Sequence, residues 1–183
     1  MFELPTFLTH YYEGSEQPFL SLSDLNEEAM EREFSDLEAL PLKVHRFKTL
    51  AEARRYMKLR RDVEAKVRQK FIDKGGKPVL QNPRYTVLGS SKWFDDWYLE
   101  KREIRIPLDH FDETQISFTY PDSMISMVLA ENPRWEAFRK PYHGMVFTRA
   151  EIEEVIARYG MPDEDDPARL HIEERAIEAQ IWA

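Results

Sequence analysis

The sequence predicts an α+β fold, a small and mostly antiparallel sheet packed against one long helix and several short helices. Three observations carry that prediction. Apolar residues recur at helical spacing from Leu50 to Phe71, the period of a helix with one buried face. Two later segments, REIRIPL and TQISFTY, alternate apolar and polar residues, the period of half-buried strands. Strand and helix signals follow one another without a strict strand–helix–strand rhythm, which separates this chain from a parallel α/β sheet.

The first helix lies in SLSDLNEEAMEREFSDLEAL. Asn26 is placed to cap it, Leu25 and Met30 to clasp its start, and Met30, Phe34 and Leu37 to form its stripe, until Pro41 stops it. Leu42, Val44 and Arg46 then alternate with Lys43, His45 and Phe47, a short strand signal. Thr49 and Glu52 form a capping box at the head of the long helix, and Lys74, Gly75 and Gly76 end it. Its inward face reads Leu50, Ala53, Tyr56, Met57, Leu59, Val63, Val67 and Phe71, with Arg60 in the middle and Glu64 one turn on.

After a Gly- and Pro-rich turn, RYTVLG reads as a buried strand, and SSKWFDDWY sets Trp93, Phe94, Trp97 and Tyr98 at helical spacing. REIRIPL and TQISFTY, joined by DHFDET, read as an antiparallel hairpin. Two short helices follow Pro121, the second capped by Asn132 with Pro133 at its first position. PYHGMVF reads as a short strand, and Thr148 with Glu151 boxes the start of a helix that ends at Gly160. MPDEDDP has the composition of an acidic linker, and the residues behind it read as a last helix bearing Leu170, Glu174, Ile177 and Ile181, with Trp182 at its end. The expected division is therefore one α+β domain over residues 1–162, then an acidic linker and C-terminal helix over residues 163–183. That helix has to bury its stripe on its own domain or on a second copy of the chain. The second is favoured, which gives a homodimer through the C-terminal helix.

Composition excludes several function classes. None of the 183 residues is cysteine, so disulfides, thiolate metal sites and cysteine nucleophiles are out. No apolar run approaches the ~20 residues of a membrane helix, and the first residues lack the basic-then-apolar layout of a secretory signal. The expectation is a soluble, cytoplasmic protein with no membrane partner. The net charge of -8 is distributed in blocks: ten acidic residues against Arg32 alone in 1–41, eighteen basic against eight acidic in 42–105, and sixteen acidic against seven basic in 106–183. A basic middle folded against two acidic flanks gives a mixed surface, and overall acidity repels a polyanion, so no nucleic-acid partner is expected. Phosphate-cradling glycine loops, nucleophile elbows and zinc-binding histidine pairs are absent, so no cofactor and no metal are expected. His110, between Asp109 and Asp112, reads as a solvated turn rather than an ion site.

Three sets of residues carry candidate chemistry. Tyr120, Asp122 and Ser123 follow a buried strand at a proline turn, and Tyr142 and His143 begin another. If the two strands are neighbours, Asp122 orients His143, which serves as a base toward Ser123 or a water. The competing reading makes Asp122 or Ser123 a helix cap and Tyr142–His143–Gly144 a packed turn. Arg60 and Glu64 are opposite charges inside an apolar stripe, either a local ion pair or an anion holder. Trp93, with Phe94, Trp97 and Tyr98, either fills the core or walls a pocket for a planar ligand.

YTVLGSSKWF, SFTYPDS and PYHGMVF, together with the long Arg-rich helix ending in KGGKP, resemble segments of an uncharacterised family of bacterial proteins. The resemblance spans about residues 45–162. It implies a bacterial source, and with no activity assigned to the family it supplies no site residue.

Two functions remain open from sequence. The favoured one is a non-catalytic binding or regulatory protein that recognises a small ligand or a protein partner. The other is a metal-independent enzyme with an Asp122, Ser123 and His143 pocket acting on an anionic small molecule, with Arg60 as its anion holder. What separates them is whether these side chains converge on one concave pocket.

Overall fold

The computed structural model describes residues 4–38, 49–162 and 174–183. Five strands, β1 (Phe7–Glu13), β2 (Arg84–Leu88), β3 (Lys101–Pro107), β4 (Ile116–Thr119) and β5 (Glu178–Ile181), form one sheet in the order β3-β1-β2-β5-β4. Every pairing is antiparallel. Four α-helices accompany it among the described residues: α1 (Glu27–Glu38), α2 (Leu50–Asp73), α3 (Ser123–Glu131) and α4 (Arg149–Tyr159). The α+β class expected from sequence is what the chain adopts.

Local chemistry sets the helix ends. The Thr49 hydroxyl accepts from the Glu52 amide at the head of α2, and Gly75, at φ +92°, closes its far end in the left-handed region that favours glycine. Thr148 and Glu151 form the full capping box of α4, and Asn26 accepts the Ala29 amide at the start of α1. Asn132 caps Pro133–Phe138, which is a 3-10 turn rather than an α-helix.

The sheet has a core on each side. Leu8, Leu88, Ile116, Phe118, Ala179 and Ile181 pack with Ile152 and Ile156 of α4. On the other side, Val63, Val67 and Phe71 of α2 pack with Met127 of α3 and with Trp182. Each fully buried aliphatic of this kind contributes roughly 1.5–3 kcal/mol. Leu59, expected on the inward face of α2, is instead 44% exposed.

Three expectations are corrected. β3 and β4 do not form a hairpin; they lie at opposite edges of the sheet, β3 on β1 and β4 on β5. PYHGMVF contributes one bridge, Phe147 to Phe118, not a strand. Most consequentially, residues 174–183 hold no helix: Glu178–Ile181 is an interior strand between β2 and β4. Residues 178–181 therefore belong to the sheet of the domain rather than to an appendage beyond residue 162. The apolar groups expected to dock a second subunit, Ile177, Ile181 and Trp182, are buried in the chain's own cores. Leu170 and the acidic linker, like the strand signal at Leu42, Val44 and Arg46, fall outside the described residues.

The basic middle of the chain pairs with its acidic flanks. Arg54 meets Glu27 and Glu31, Arg84 meets Asp24, Lys66 meets Glu131, and Lys74 meets Glu151. Such exposed pairs contribute little individually, but they mix the surface charge. No helix among the described residues is long and apolar enough to cross a membrane.

Candidate functional site: an aromatic-walled cavity over the sheet

A cavity of about 670 Å³ lies over β1, β2 and β5. Strand register explains its floor. Thr9 pairs with Val87, Val87 with Glu178, and Tyr85 with Gln180. Because partners across a ladder share a face, and residues two apart do as well, Thr9, Tyr11, Tyr85, Val87 and Glu178 all point to the cavity side. Tyr56, Arg60 and Val63 of α2, Phe34 of α1, and Asp122, Ser123 and Met124 at the head of α3 complete the lining with the aromatic run 93–98.

Arg60 is the cation of this lining. Its Nε lies 2.9 Å from Glu64 Oε1 and 3.0 Å from Ser23 Oγ, and its Cζ sits 4.7 Å above the Tyr85 ring. Tyr85 Oη donates to the same Glu64 oxygen at 2.8 Å. Burial alone would lower the Arg60 guanidinium, but Tyr85, Tyr56 and Glu64 outweigh it and hold it above its ordinary range. Burial likewise raises the Tyr85 phenol well above its usual value, so it stays a donor. Glu64, 1% exposed, fixes Arg60 from behind and is not itself part of the lining. The terminal nitrogens of Arg60 meet one protein acceptor among the described residues, Tyr56 Oη at 3.5 Å.

The acidic side of the lining is Glu178 with Asp122. Glu178 Oε1 accepts from the Ser123 amide at 3.2 Å and from Gln180 Nε2 at 2.9 Å. Gln180 in turn joins Thr119 and Ser117, and Ser117 accepts from the Trp182 indole, so a continuous buried polar chain holds Glu178 in place. Burial, then the neighbouring Asp122 charge, push the Glu178 carboxyl up to about 7. Asp122 caps α3 through the Ile125 amide.

Ser91 accepts the Trp93 amide and starts the 3-10 turn Lys92–Asp96. Trp93 and Trp97 meet edge to face at 4.7 Å, and Phe94 stacks on Tyr11 at 5.0 Å. On the opposite side, β1 and β2 pair directly only at Leu8–Leu88 and Thr9–Val87. His10 bridges the gap beyond, its Nδ1–H donating to the Tyr85 carbonyl and its Nε2 accepting from the Phe19 amide. A carbonyl can only accept and an amide can only donate, so this arrangement fixes the neutral tautomer. Burial lowers the His10 imidazole, against a smaller raising effect of the Tyr85 carbonyl. At the rim, Glu16 is pushed up by burial and by Glu33 and Glu13, and Leu20 and Leu99 stand 65% and 64% exposed.

Of the residues singled out from sequence, Arg60, Trp93, Asp122 and Ser123 come together here. His143, Tyr120 and Tyr142 do not. His143 Nε2 is 2.7 Å from Glu174 Oε1, which also accepts from Tyr142 Oη, while His143 Nδ1 accepts the Lys140 amide. Tyr120 donates to the Gly160 carbonyl. Both ring nitrogens of His143 are thus engaged away from Ser123, and the expected base–nucleophile arrangement is not assembled. Sequence reading missed His10, Tyr85 and Glu178. The signal for Glu178 was present, since Glu178, Ala179, Gln180 and Ile181 alternate with period two.

No group of three or more metal-ligating side chains occurs among the described residues. Compared with protein-family models, with curated proteins and with solved structures, the chain matches none.

Proposed function

We propose that this protein binds a small organic molecule in the cavity over β1, β2 and β5, and acts as a binding or regulatory protein. One observation carries the reading: Arg60, whose terminal nitrogens meet only Tyr56 Oη, at 3.5 Å, among the described residues, faces a cavity of about 670 Å³ walled by Trp93, Phe94 and Tyr85. Concave, mostly apolar sites of ~300–1,000 Å³ with a few convergent polar groups are the usual form of a small-molecule site. The same reading takes the protein to be cytoplasmic, with no helix among the described residues long and apolar enough to cross a membrane.

Thermal shift over metabolite and nucleotide libraries tests this. A ligand at 100 times its Kd adds about 2.7 kcal/mol of stability. The expected result is a class of compounds that shifts the wild type and shifts Trp93→Ala and Arg60→Lys less. Shifts equal in all three proteins, or none in any, overturn the reading.

The enzyme reading is favoured by a different observation. Glu178, held near 7 beside Asp122, has the protonation range of a general acid or base. It requires turnover of a bound ligand that Glu178→Gln abolishes while binding survives.

A further inference from the structure

We propose that the outer edge of β3 is a docking surface for a second copy of this chain, which pairs antiparallel to it about a two-fold axis at Ile104 and extends the sheet.

The ladder to β1 determines which backbone groups of β3 face outward. At its two ends the Leu108 amide donates to the Thr6 carbonyl at 2.9 Å, and the Gly14 amide donates to the Glu100 carbonyl at 2.8 Å. Hydrogen-bonded and non-hydrogen-bonded pairs alternate along an antiparallel ladder. The even-numbered residues of β3 therefore turn their amides and carbonyls toward β1, and Glu103 and Arg105 turn theirs outward. No group among the described residues meets those outward amides and carbonyls. Shortness, a bulge or a mid-strand proline commonly blunts a free edge. β3 has none of these: its seven residues run in unbroken register, and its one proline, Pro107, stands at the end.

Charge then selects the partner and the register. Outward-facing residues can exchange hydrogen bonds only with outward-facing residues, so the axis has to pass through a residue rather than between two. An axis at Glu103 sets Glu103 against its own copy and Lys101 against Arg105. An axis at Arg105 sets Arg105 against its own copy. Like charges directly opposite one another destabilise a ladder. An axis at Ile104 sets Glu103 of each copy opposite Arg105 of the other, and Lys101 opposite Pro107, while axes nearer either end overlap less of the strand. Arg105 already lies 3.0 Å from Glu103 Oε1 within its own strand. The two copies thus close a square of alternating charges on one face. On the other face, Ile104 meets Ile104 of the second copy in a non-hydrogen-bonded pair, where side chains approach most closely.

Closed two-fold pairs are the commonest homo-oligomers. An edge of seven residues is small beside a permanent interface, so this dimer forms in a concentration-dependent way.

Sedimentation equilibrium of the full-length protein, from micromolar to near-millimolar concentration, tests this. The expected result is a monomer–dimer equilibrium. Glu103→Arg or Arg105→Glu alone places like charges opposite one another and should weaken dimerisation on the order of tenfold or more. Glu103→Arg combined with Arg105→Glu restores opposite charges at both pairs and should restore the dimer. The chain has no cysteine, so Ile104→Cys adds one thiol, at the axis, and mild oxidation should link the two copies. Arg102→Cys should not cross-link, because its two thiols sit roughly 13 Å apart along the strands, beyond the ~7 Å that a disulfide spans between Cα atoms. Circular dichroism and thermal melting establish that the variants are folded. A wild type that stays monomeric at near-millimolar concentration overturns the proposal. So does a dimer indifferent to the single reversals, one that the double exchange fails to restore, or equal cross-linking at positions 102 and 104.

Discussion

Arg60 and Glu64 meet through a single carboxylate oxygen. Glu64 Oε1 accepts from Arg60 Nε, Ser23 Oγ and Tyr85 Oη at 2.9, 2.9 and 2.8 Å, while Glu64 Oε2 is buried with no hydrogen-bond partner among the described residues. The carboxylate is thus used asymmetrically. Its occupied oxygen gathers α2, β2 and the turn at Ser23 behind the cavity.

Breaking this pair from one side should therefore be costly. Glu64→Leu leaves the Arg60 charge uncompensated and removes the acceptor of three donors, an expected loss on the order of 3–5 kcal/mol in urea unfolding. Arg60→Met with Glu64→Leu removes both charges and should cost less than Glu64→Leu alone. A double variant as unstable as the sum of the singles would show that the two side chains act independently.

The C-terminal residues are expected to be indispensable. Trp182 is fully buried, its indole donates to Ser117 Oγ at 2.9 Å, and its carbonyl accepts the Val79 and Leu80 amides. Trp182→Ala should cost about 3–5 kcal/mol through the cavity it leaves. Deleting residues 178–183 removes an interior strand and should abolish the cooperative melt followed by circular dichroism. A folded truncated chain would contradict the pairing of β5 with β2 and β4.

What was legible in the sequence was local. Thr49, Thr148, Asn132 and Gly160 mark their helix ends because a cap is a contact between residues a few positions apart. Arg60 stood out as a charge inside an apolar stripe. β5 was hidden for two reasons. Ile177 and Ile181 are four residues apart, which imitates a helix face. The polar face of the strand is also buried: Glu178 and Gln180 are satisfied by Ser117, Thr119 and the Ser123 amide, all distant in sequence. A pattern that assigns polar residues to solvent cannot find such a strand. The false hairpin has the same origin. β3 and β4 follow one another in the chain, yet β1 and β5, from its two ends, lie between them with β2. Asp122 and Ser123 were found, but as partners of His143 rather than of Glu178, because that pairing depends on where β5 sits.

Acid should loosen the segment that His10 holds. Phe19 has φ 61°, outside the usual range of a side-chain-bearing residue, its amide donates to His10 Nε2 at 2.8 Å, and its ring stacks on the imidazole at 4.2 Å. The His10 pKa is lowered from 6.5 by burial. Its contribution to stability is therefore whole above about pH 6.5 and is lost as pH falls from there toward the lowered folded value. Protonation also removes the acceptor for the Phe19 amide. Between pH 7.5 and 5.5 the melting temperature of the wild type should fall by more than that of His10→Asn. Equal slopes would mean that His10 titrates as freely folded as unfolded.

Glu178 should act in the opposite direction over an overlapping range. Its carboxyl is raised from 4.5 to about 7, first by burial and then by the charge of Asp122. A raised carboxyl favours the folded state in its protonated form, so its contribution is whole below about pH 4.5 and is lost as pH rises from 4.5 through 7. At pH 8 the wild type carries two adjacent carboxylates, Glu178 and Asp122, in a lining where Arg60 is already matched by Glu64. Glu178→Gln keeps an oxygen to accept the Ser123 amide and removes the charge, so it should melt higher than wild type at pH 8. At pH 4.5, where Glu178 is itself protonated, the two proteins should melt nearly together. A variant that melts below wild type at pH 8 and pH 4.5 alike would show that the Glu178 side chain is needed for its hydrogen bonds and not strained by its charge.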